Sequence, residues 1–192
     1  TFEETIKLAG GTVVVSEEFA PETKDFRTQL VKVKSAAPQA MLVLSQTGLS
    51  GAYYVKQSRE LGLTAPIFSD FTFAVNESAK AVVGSFEGIY FADPAYDAAD
   101  PKTTQFFVDY EKRFGKPSLI PFHAAASYDD VMLFAQALRE VGDDSEKVHD
   151  WLLGNVKNYK GLMGTYSLDD KGNSDLGFVI KVIKNGQPTP IK

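Results

Sequence analysis

The chain contains no cysteine. Disulfide staples, thiolate nucleophiles and thiolate metal sites are therefore excluded, while the redox compartment stays open. Histidine is scarce too: only His123 and His149 are present, so no metal site is expected. Positive charge is in deficit, with a net charge of −5, and no nucleic-acid partner is expected without a basic patch. No apolar run approaches the roughly 20 residues of a membrane helix. No export leader is recognisable within these residues, and a mature exported protein would have lost one.

Catalytic motifs are missing as well. There is no Gly-x-Ser-x-Gly elbow, no phosphate loop and no Gly-x-Gly-x-x-Gly behind a strand. His123, Ser127 and Asp129 are close in sequence, but on a helix Asp129 leaves the face the first two share, which argues against a triad. The run Asp169–Asp175 lacks the alternate acidic positions and terminal glutamate of a calcium loop and reads as a polar turn. Neither an enzyme nor a resident cofactor is expected.

What is present is ordinary globular composition, 44% hydrophobic and 23% charged, in a length that fits one large domain or two small ones. The most informative stretch is 41–70. Met-Leu-Val-Leu-Ser (41–45) is β-rich; Gln46-Thr47-Gly48 turns; Leu49–Leu61 has helical character; Gly62 stops it; Ile67-Phe68-Ser69 is a second apolar run. Strand, turn, helix, glycine stop and strand make one βαβ unit. Ligands bind beyond the carboxyl ends of strands in open parallel sheets, which points to 45–48 and 69–72.

The same alternation extends on both sides. Helical spacing covers Thr1–Ala9, with Phe2, Ile6 and Ala9 on one face, and Gly10-Gly11 ends it. The pattern then predicts strand 12–18, helix 26–35 capped by Asp25, strand 40–45, helix 49–61, strand 67–69, a short helix 77–83 and strand 87–91. That is an α/β layered domain with a parallel sheet. At Ala92-Asp93-Pro94 the rhythm breaks into three helices, 101–114, 122–141 and 145–155, with Asp100 and Asp144 or Ser145 as caps. Beyond Gly161 the pattern predicts a strand at 163–168 and another at 177–184, followed by an Asn185-Gly186 hairpin turn. The three helices carry apolar stripes, and 93–176 is expected to supply no sheet of its own. Each uncovered Phe or Leu forgoes roughly 1.5–3 kcal/mol, so either the helices pack as a bundle or, the favoured reading, they belong to a second lobe whose sheet lies upstream of Thr1.

Several stretches carry a family resemblance. They are Gly10-Gly11 before a Val-rich run, Thr23-Lys24-Asp25-Phe26 with Gln29-Leu30, and Lys56–Leu63 with Ala65-Pro66-Ile67. Gly84–Gly88, Ser127-Tyr128-Asp129, Gly161–Gly164, Ser167-Leu168-Asp169 and Gly172-Asn173 continue the series. In order and spacing the chain resembles the type I periplasmic binding proteins, in the leucine/isoleucine/valine-binding branch that serves ABC transporters. The resemblance implies an α/β parallel-sheet lobe of a two-lobed fold plus a helical part of the other lobe. Residues 1–92 and 177–192 would form the C-terminal lobe. Residues 93–176 would be the late part of the N-terminal lobe, whose sheet lies outside this stretch, so the chain is expected to be a fragment.

The resemblance also implies a function: an exported, periplasmic or extracellular solute receptor. It would bind a small amino acid or related carboxylate between two lobes and deliver it to ABC permease subunits in the membrane. Alternatives are a sensory or regulatory ligand-binding domain on the same fold, or a binder of an aromatic or keto acid. A further expected partner is the other lobe, or another chain, covering 93–176. The candidate ligand residues are Ser45, Gln46, Thr47, Gly48, Ser69, Asp70, Phe71, Phe122 and His123. Thr47 and Gly48 offer a helix N-terminus for a polar or anionic group, although Thr47 also reads as a plain N-cap. The family presents a tyrosine on this loop, and none stands at 46–48. It places an acidic residue near 70–71, so either Asp70 holds an ammonium group or Phe71 walls the cleft while Asp70 caps the next turn. Phe73 and Phe91 are further wall candidates. Phe122 and His123 stand where the family presents an aromatic residue from the opposite lobe.

Overall fold

A computed structural model of the chain describes residues 2–74, 86–118 and 120–191. The described elements are α1 (Phe2–Leu8), α2 (Arg27–Ala36), β1 (Met41–Val43), α3 (Gly48–Glu60), β2 (Ile67–Asp70), a 3-10 turn (Phe71–Ala74) and β3 (Tyr90–Pro94). They continue with α4 (Pro101–Phe114), α5 (Pro121–Val141), α6 (Ser145–Asn155), β4 (Tyr159–Lys160), β5 (Thr165–Tyr166), β6 (Phe178–Lys184) and β7 (Gln187–Pro190). The predicted helix 77–83 lies outside the described residues. The chain forms two compact units: Thr1–Asp93 with Ile180–Lys192, and Pro94–Val179.

In the first unit the sheet runs β1-β2-β3-β6-β7, with β1, β2 and β3 parallel and β6–β7 an antiparallel hairpin. Met41 and Val43 of β1, Ile67 of β2 and Phe91 of β3 point to one face. There they meet Phe26 and Leu30 of α2 and Val55 of α3 in the core. Gln57 sits in that layer as a buried clamp: its Oε1 accepts from Phe26 N at 2.7 Å and its Nε2 donates to Lys24 O at 2.7 Å. Burying an amide is tolerable because both of its ends are bonded. The Asn185-Gly186 turn joins β6 to β7 with φ of 53° and 72°, as the two-residue hairpin signal requires. Asp93 and Lys181 form a half-buried ion pair between β3 and β6.

Several expectations are corrected. Residues 12–18 form no strand: Val13, Val15, Glu17 and Phe19 alternate as half-buried positions, but no ladder partner runs beside them among the described residues. Alternation records which side chains face the core, and Val15 and Phe19 do pack there; pairing needs a neighbouring strand. Helix α2 begins at Arg27, with Phe26 at the cap position, while Asp25 Oδ1 accepts from Arg27 N. The strand expected at 87–91 is Tyr90–Pro94, because register pairs 68–70 with 90–92; Gly88, at φ +77°, turns the chain first. Ala92-Asp93-Pro94 thus ends a strand. The stretch 163–168 is not one strand, since Leu162 and Met163 spend their N–H groups on a side chain, Thr165–Tyr166 pairs with β4, and Leu168 makes only a lone bridge to Ser174.

The second unit packs α4, α5 and α6 with the β4–β5 hairpin. Its node is Asp129, 1% exposed, whose two oxygens accept from Leu162 N (2.7 Å) and Met163 N (2.9 Å). Thr103 Oγ1 donates to Leu162 O at 2.8 Å. A Cβ on Gly161 would stand 2.1 Å from Asp129 Oδ2, so only glycine fits. One face of α5 is buried through Ala125, Asp129, Leu133 and Ala137. Its opposite side leaves Tyr128, Val131, Met132, Phe134 and Leu138 exposed, Val131 to 66%. No helix among the described residues is long and apolar enough to cross a membrane.

Candidate functional site

Parallel pairing of Met41–Val43 with Ile67–Ser69 brings the ends of β1 and β2 together, and with them 45–48 and 69–71. Seven of the nine candidate residues therefore share the carboxyl edge of the first unit's sheet. The remaining two, Phe122 and His123, belong to the second unit, in the first turn of α5.

On the β1 side, Thr47 caps α3: its Oγ1 accepts from Ser50 N at 3.2 Å and donates to Pro21 O at 3.3 Å. The first bond within the helix is Gly51 N to Thr47 O, so the preceding N–H groups have no helical partner. Gly48 is buried, whereas Gln46 is exposed. Ser45 (5% exposed) and Ser50 (2%) bury hydroxyls that have no hydrogen-bond partner among the described residues. Such a group costs about 1–3 kcal/mol, so two of them at one strand end mark a place suited to a ligand or water. Ser50 lay outside the residues expected from sequence; its helical position was legible, but its burial depends on the tertiary packing of α3.

On the β2 side, Ser69 Oγ donates to Val43 O at 2.7 Å, tying the two strand ends. Asp70 is half-buried, with Oδ1 accepting from Thr72 N at 2.9 Å, which is the turn-capping alternative. It has no ion pair among the described residues, so a carboxylate remains at the edge without a cation. Phe71 is half-buried and packs against the core. Phe91, at 1% exposure, is a core residue rather than a wall. Phe122 is half-buried against its own unit's cluster, and its ring lies 4.3 Å from that of the exposed His123.

Perturbed ionisation lies away from this edge. Burial raises Tyr166 and Tyr159 above the usual phenol value, and the Asp129 charge adds to both shifts. Asp130, although exposed overall, is raised by partial desolvation of its carboxyl and then by the Asp129 charge. Among the described residues no cluster of His, Asp and Glu could hold a metal.

A family model described as periplasmic binding protein matches residues 1–187. Among solved structures, the leucine-binding protein LivK of Thermotoga maritima is 25% identical, with a TM-score of 0.79 over 100% of this chain and 54% of its own. LivJ of Streptococcus pneumoniae, a branched-chain amino acid transporter substrate-binding protein solved with isoleucine, is 24% identical with a TM-score of 0.68, over 95% of this chain and 53% of its own. An ABC transporter solute-binding protein of R. palustris, solved with benzoate, is 18% identical with a TM-score of 0.72, over 99% and 52% respectively. The last two similarities speak to fold alone. The chain spans about half the length of these relatives.

Proposed function

Because the chain belongs to the periplasmic binding protein family, we propose that it is part of an ABC-importer solute receptor that binds a small amino acid or related carboxylate. The observation that carries this is the strand edge of the first unit. Among the described residues, N–H groups of Gly48 and Leu49 without a helical partner and two unpartnered buried hydroxyls stand at β1, with Asp70, which has no ion pair, at β2. Hydroxyls and N–H groups suit a ligand carboxylate, and Asp70 suits an ammonium. The leucine-binding relative supports the same ligand class.

In this reading residues 1–92 and 177–192 serve as the C-terminal lobe, and 93–176 as the late part of the N-terminal lobe. The apolar side of α5 is covered by the rest of that lobe or by another chain, and Phe122 and His123 contribute to ligand binding. Ligand-driven closure would make the form a membrane permease recognises, outside the cytoplasm.

A specific observation favours a second ligand class. Asp70 already spends one oxygen on Thr72 N, and Phe71 stands beside it, which suits an aromatic or keto acid without an amine. Calorimetric titration of the full-length receptor with leucine, isoleucine, benzoate and a branched keto acid is the test. Tight binding of the amino acids, weakened about tenfold or more by Asp70→Asn, is the expected result. Binding of the acids alone selects the second class, and binding of neither refutes the receptor reading at this edge.

A further inference from the structure

α3 carries the candidate ligand edge at its first turn and a buried amide at its third. Gln57 is 6% exposed, and both ends of its amide are spent on the backbone of the segment before α2. Its Oε1 accepts from Phe26 N and its Nε2 donates to Lys24 O, each at 2.7 Å. The same segment has a second hold on the same helix. Pro21 O accepts from Thr47 Oγ1 at 3.3 Å, and Thr47 Oγ1 in turn accepts from Ser50 N. Between the two holds, Thr23 N donates to Ala20 O. Phe26 is fixed by edge-to-face contacts with Phe19 (5.0 Å) and with Tyr54 of α3 (5.4 Å). Residues 20–26 therefore run beside α3, from Gln57 to its N-terminus, and are held at both ends.

Length leaves this segment little slack. Thr47 and Gln57 are separated by about 15 Å along the helix axis at about 1.5 Å per residue. Helical side chains lean toward the N-terminus, which brings the Gln57 amide roughly one turn closer and leaves roughly 10 Å to cover. The residues from Pro21 to Lys24 can span at most about 10–11 Å. A hydroxyl has one proton, and that of Thr47 goes to Pro21 O. Thr47 thus orients the turn around it and has no proton to give a ligand carboxylate.

We infer that Gln57 is a positioning residue for the ligand edge. By drawing residues 20–26 along α3 it places Pro21 O, which fixes the Thr47 hydroxyl, and that hydroxyl holds Ser50 N and the first turn of the helix. The inference rests on the reading that this turn receives the ligand, and it names a residue that controls the turn from the far side of the segment without touching ligand. Groups that bind a small molecule must be held to within about 0.5 Å, and side chains behind the contact residues supply that hold.

Two measurements separate the link from the ligand reading. The first is hydrogen exchange on this chain without ligand. Gln57→Met keeps the length of the side chain and removes both bonds; the amide of Ser50, at the far end of the segment, should then exchange at least about threefold faster, while 28–36 of α2 keep their protection. Thr47→Val, a milder change, tests the link from the other end: the Phe26 amide held by Gln57 should exchange at least about threefold faster, and Thr47→Ser should restore it. Unchanged exchange at the far amide in either variant overturns the inference. The second measurement is titration of the full-length receptor with leucine and with benzoate. Gln57→Met and Thr47→Val should each weaken binding about tenfold, and together by little more than either, because they cut one chain of bonds. Changes this far apart ordinarily act independently, so a combined loss of about a hundredfold would overturn the positioning role, as would single variants that bind within about twofold of the unmodified receptor. If the unmodified receptor binds neither compound, the ligand reading fails and takes the positioning role with it, while the exchange result decides the link by itself.

Discussion

Asp129 organises the second unit through two bonds to backbone N–H groups that have no other outlet. Bonds to a charged acceptor contribute about 1.5–3 kcal/mol each, so Asp129→Ala should cost about 3–5 kcal/mol, read as a lower urea midpoint. Its neighbour behaves oppositely. Asp130 titrates above its usual value because of partial desolvation and the Asp129 charge, so folding favours its protonated form. Its stabilising contribution is complete below the ordinary carboxylate range and is lost as pH rises through the raised folded value. Asp130→Asn should therefore raise Tm at neutral pH, with the gain vanishing below the ordinary range; a gain independent of pH would contradict this. Ser45 and Ser50 make a third case. A buried hydroxyl without a partner adds nothing to stability, so Ser50→Ala should leave ligand-free Tm unchanged or slightly higher. If these hydroxyls serve the ligand, the same change should weaken binding about tenfold, which titration would show.

Among the elements, α3 shows how capping and site coincide. Thr47→Ala removes the side chain that accepts from Ser50 N and should cost about 1 kcal/mol, measurable by chemical denaturation. This helix was legible in the sequence because Thr47 and Gly62 bracket it. The helices Pro101–Phe114 and Ser145–Asn155 were legible for the same reason, with Asp100 and Asp144 each accepting from two backbone N–H groups. Residues 12–18 were not, because their alternation is true of burial while the ladder depends on a distant strand. The two-residue strands β4 and β5 were hidden by Asp129, a long-range partner that no local pattern announces. The location of the candidate site at strand ends could be read from the βαβ unit. The orphaned state of Ser45 and Ser50, and the use of Asp70 on Thr72, could not, since both depend on how α3 and the 3-10 turn settle on the sheet.

For the whole molecule, the exposed apolar side of α5 is the dominant liability. Val131, Phe134 and Leu138 are accessible together, and patches of this kind mark interfaces or drive association. The isolated chain should bind a hydrophobic dye and self-associate. Val131→Lys with Leu138→Lys should suppress both with little change in Tm, as seen by light scattering. Under the receptor reading proposed above, the same pair should be strongly destabilising in a longer chain that covers this face, so the contrast between the two contexts reports directly on coverage.

The hairpin turn between β6 and β7 bears on how the protein ages. Asn-Gly is the sequence most prone to spontaneous deamidation, in which the glycine nitrogen attacks the asparagine side-chain carbonyl to close a succinimide ring. Here that nitrogen is occupied: Gly186 N donates to Glu87 Oε2 at 3.1 Å, while Asn185 N donates to Glu87 Oε1 at 3.0 Å. The carboxylate that pins the turn also shields its weakest bond from its own chemistry. Removing it with Glu87→Ala should shorten the shelf life of the protein, visible as faster accumulation of acidic isoforms on storage.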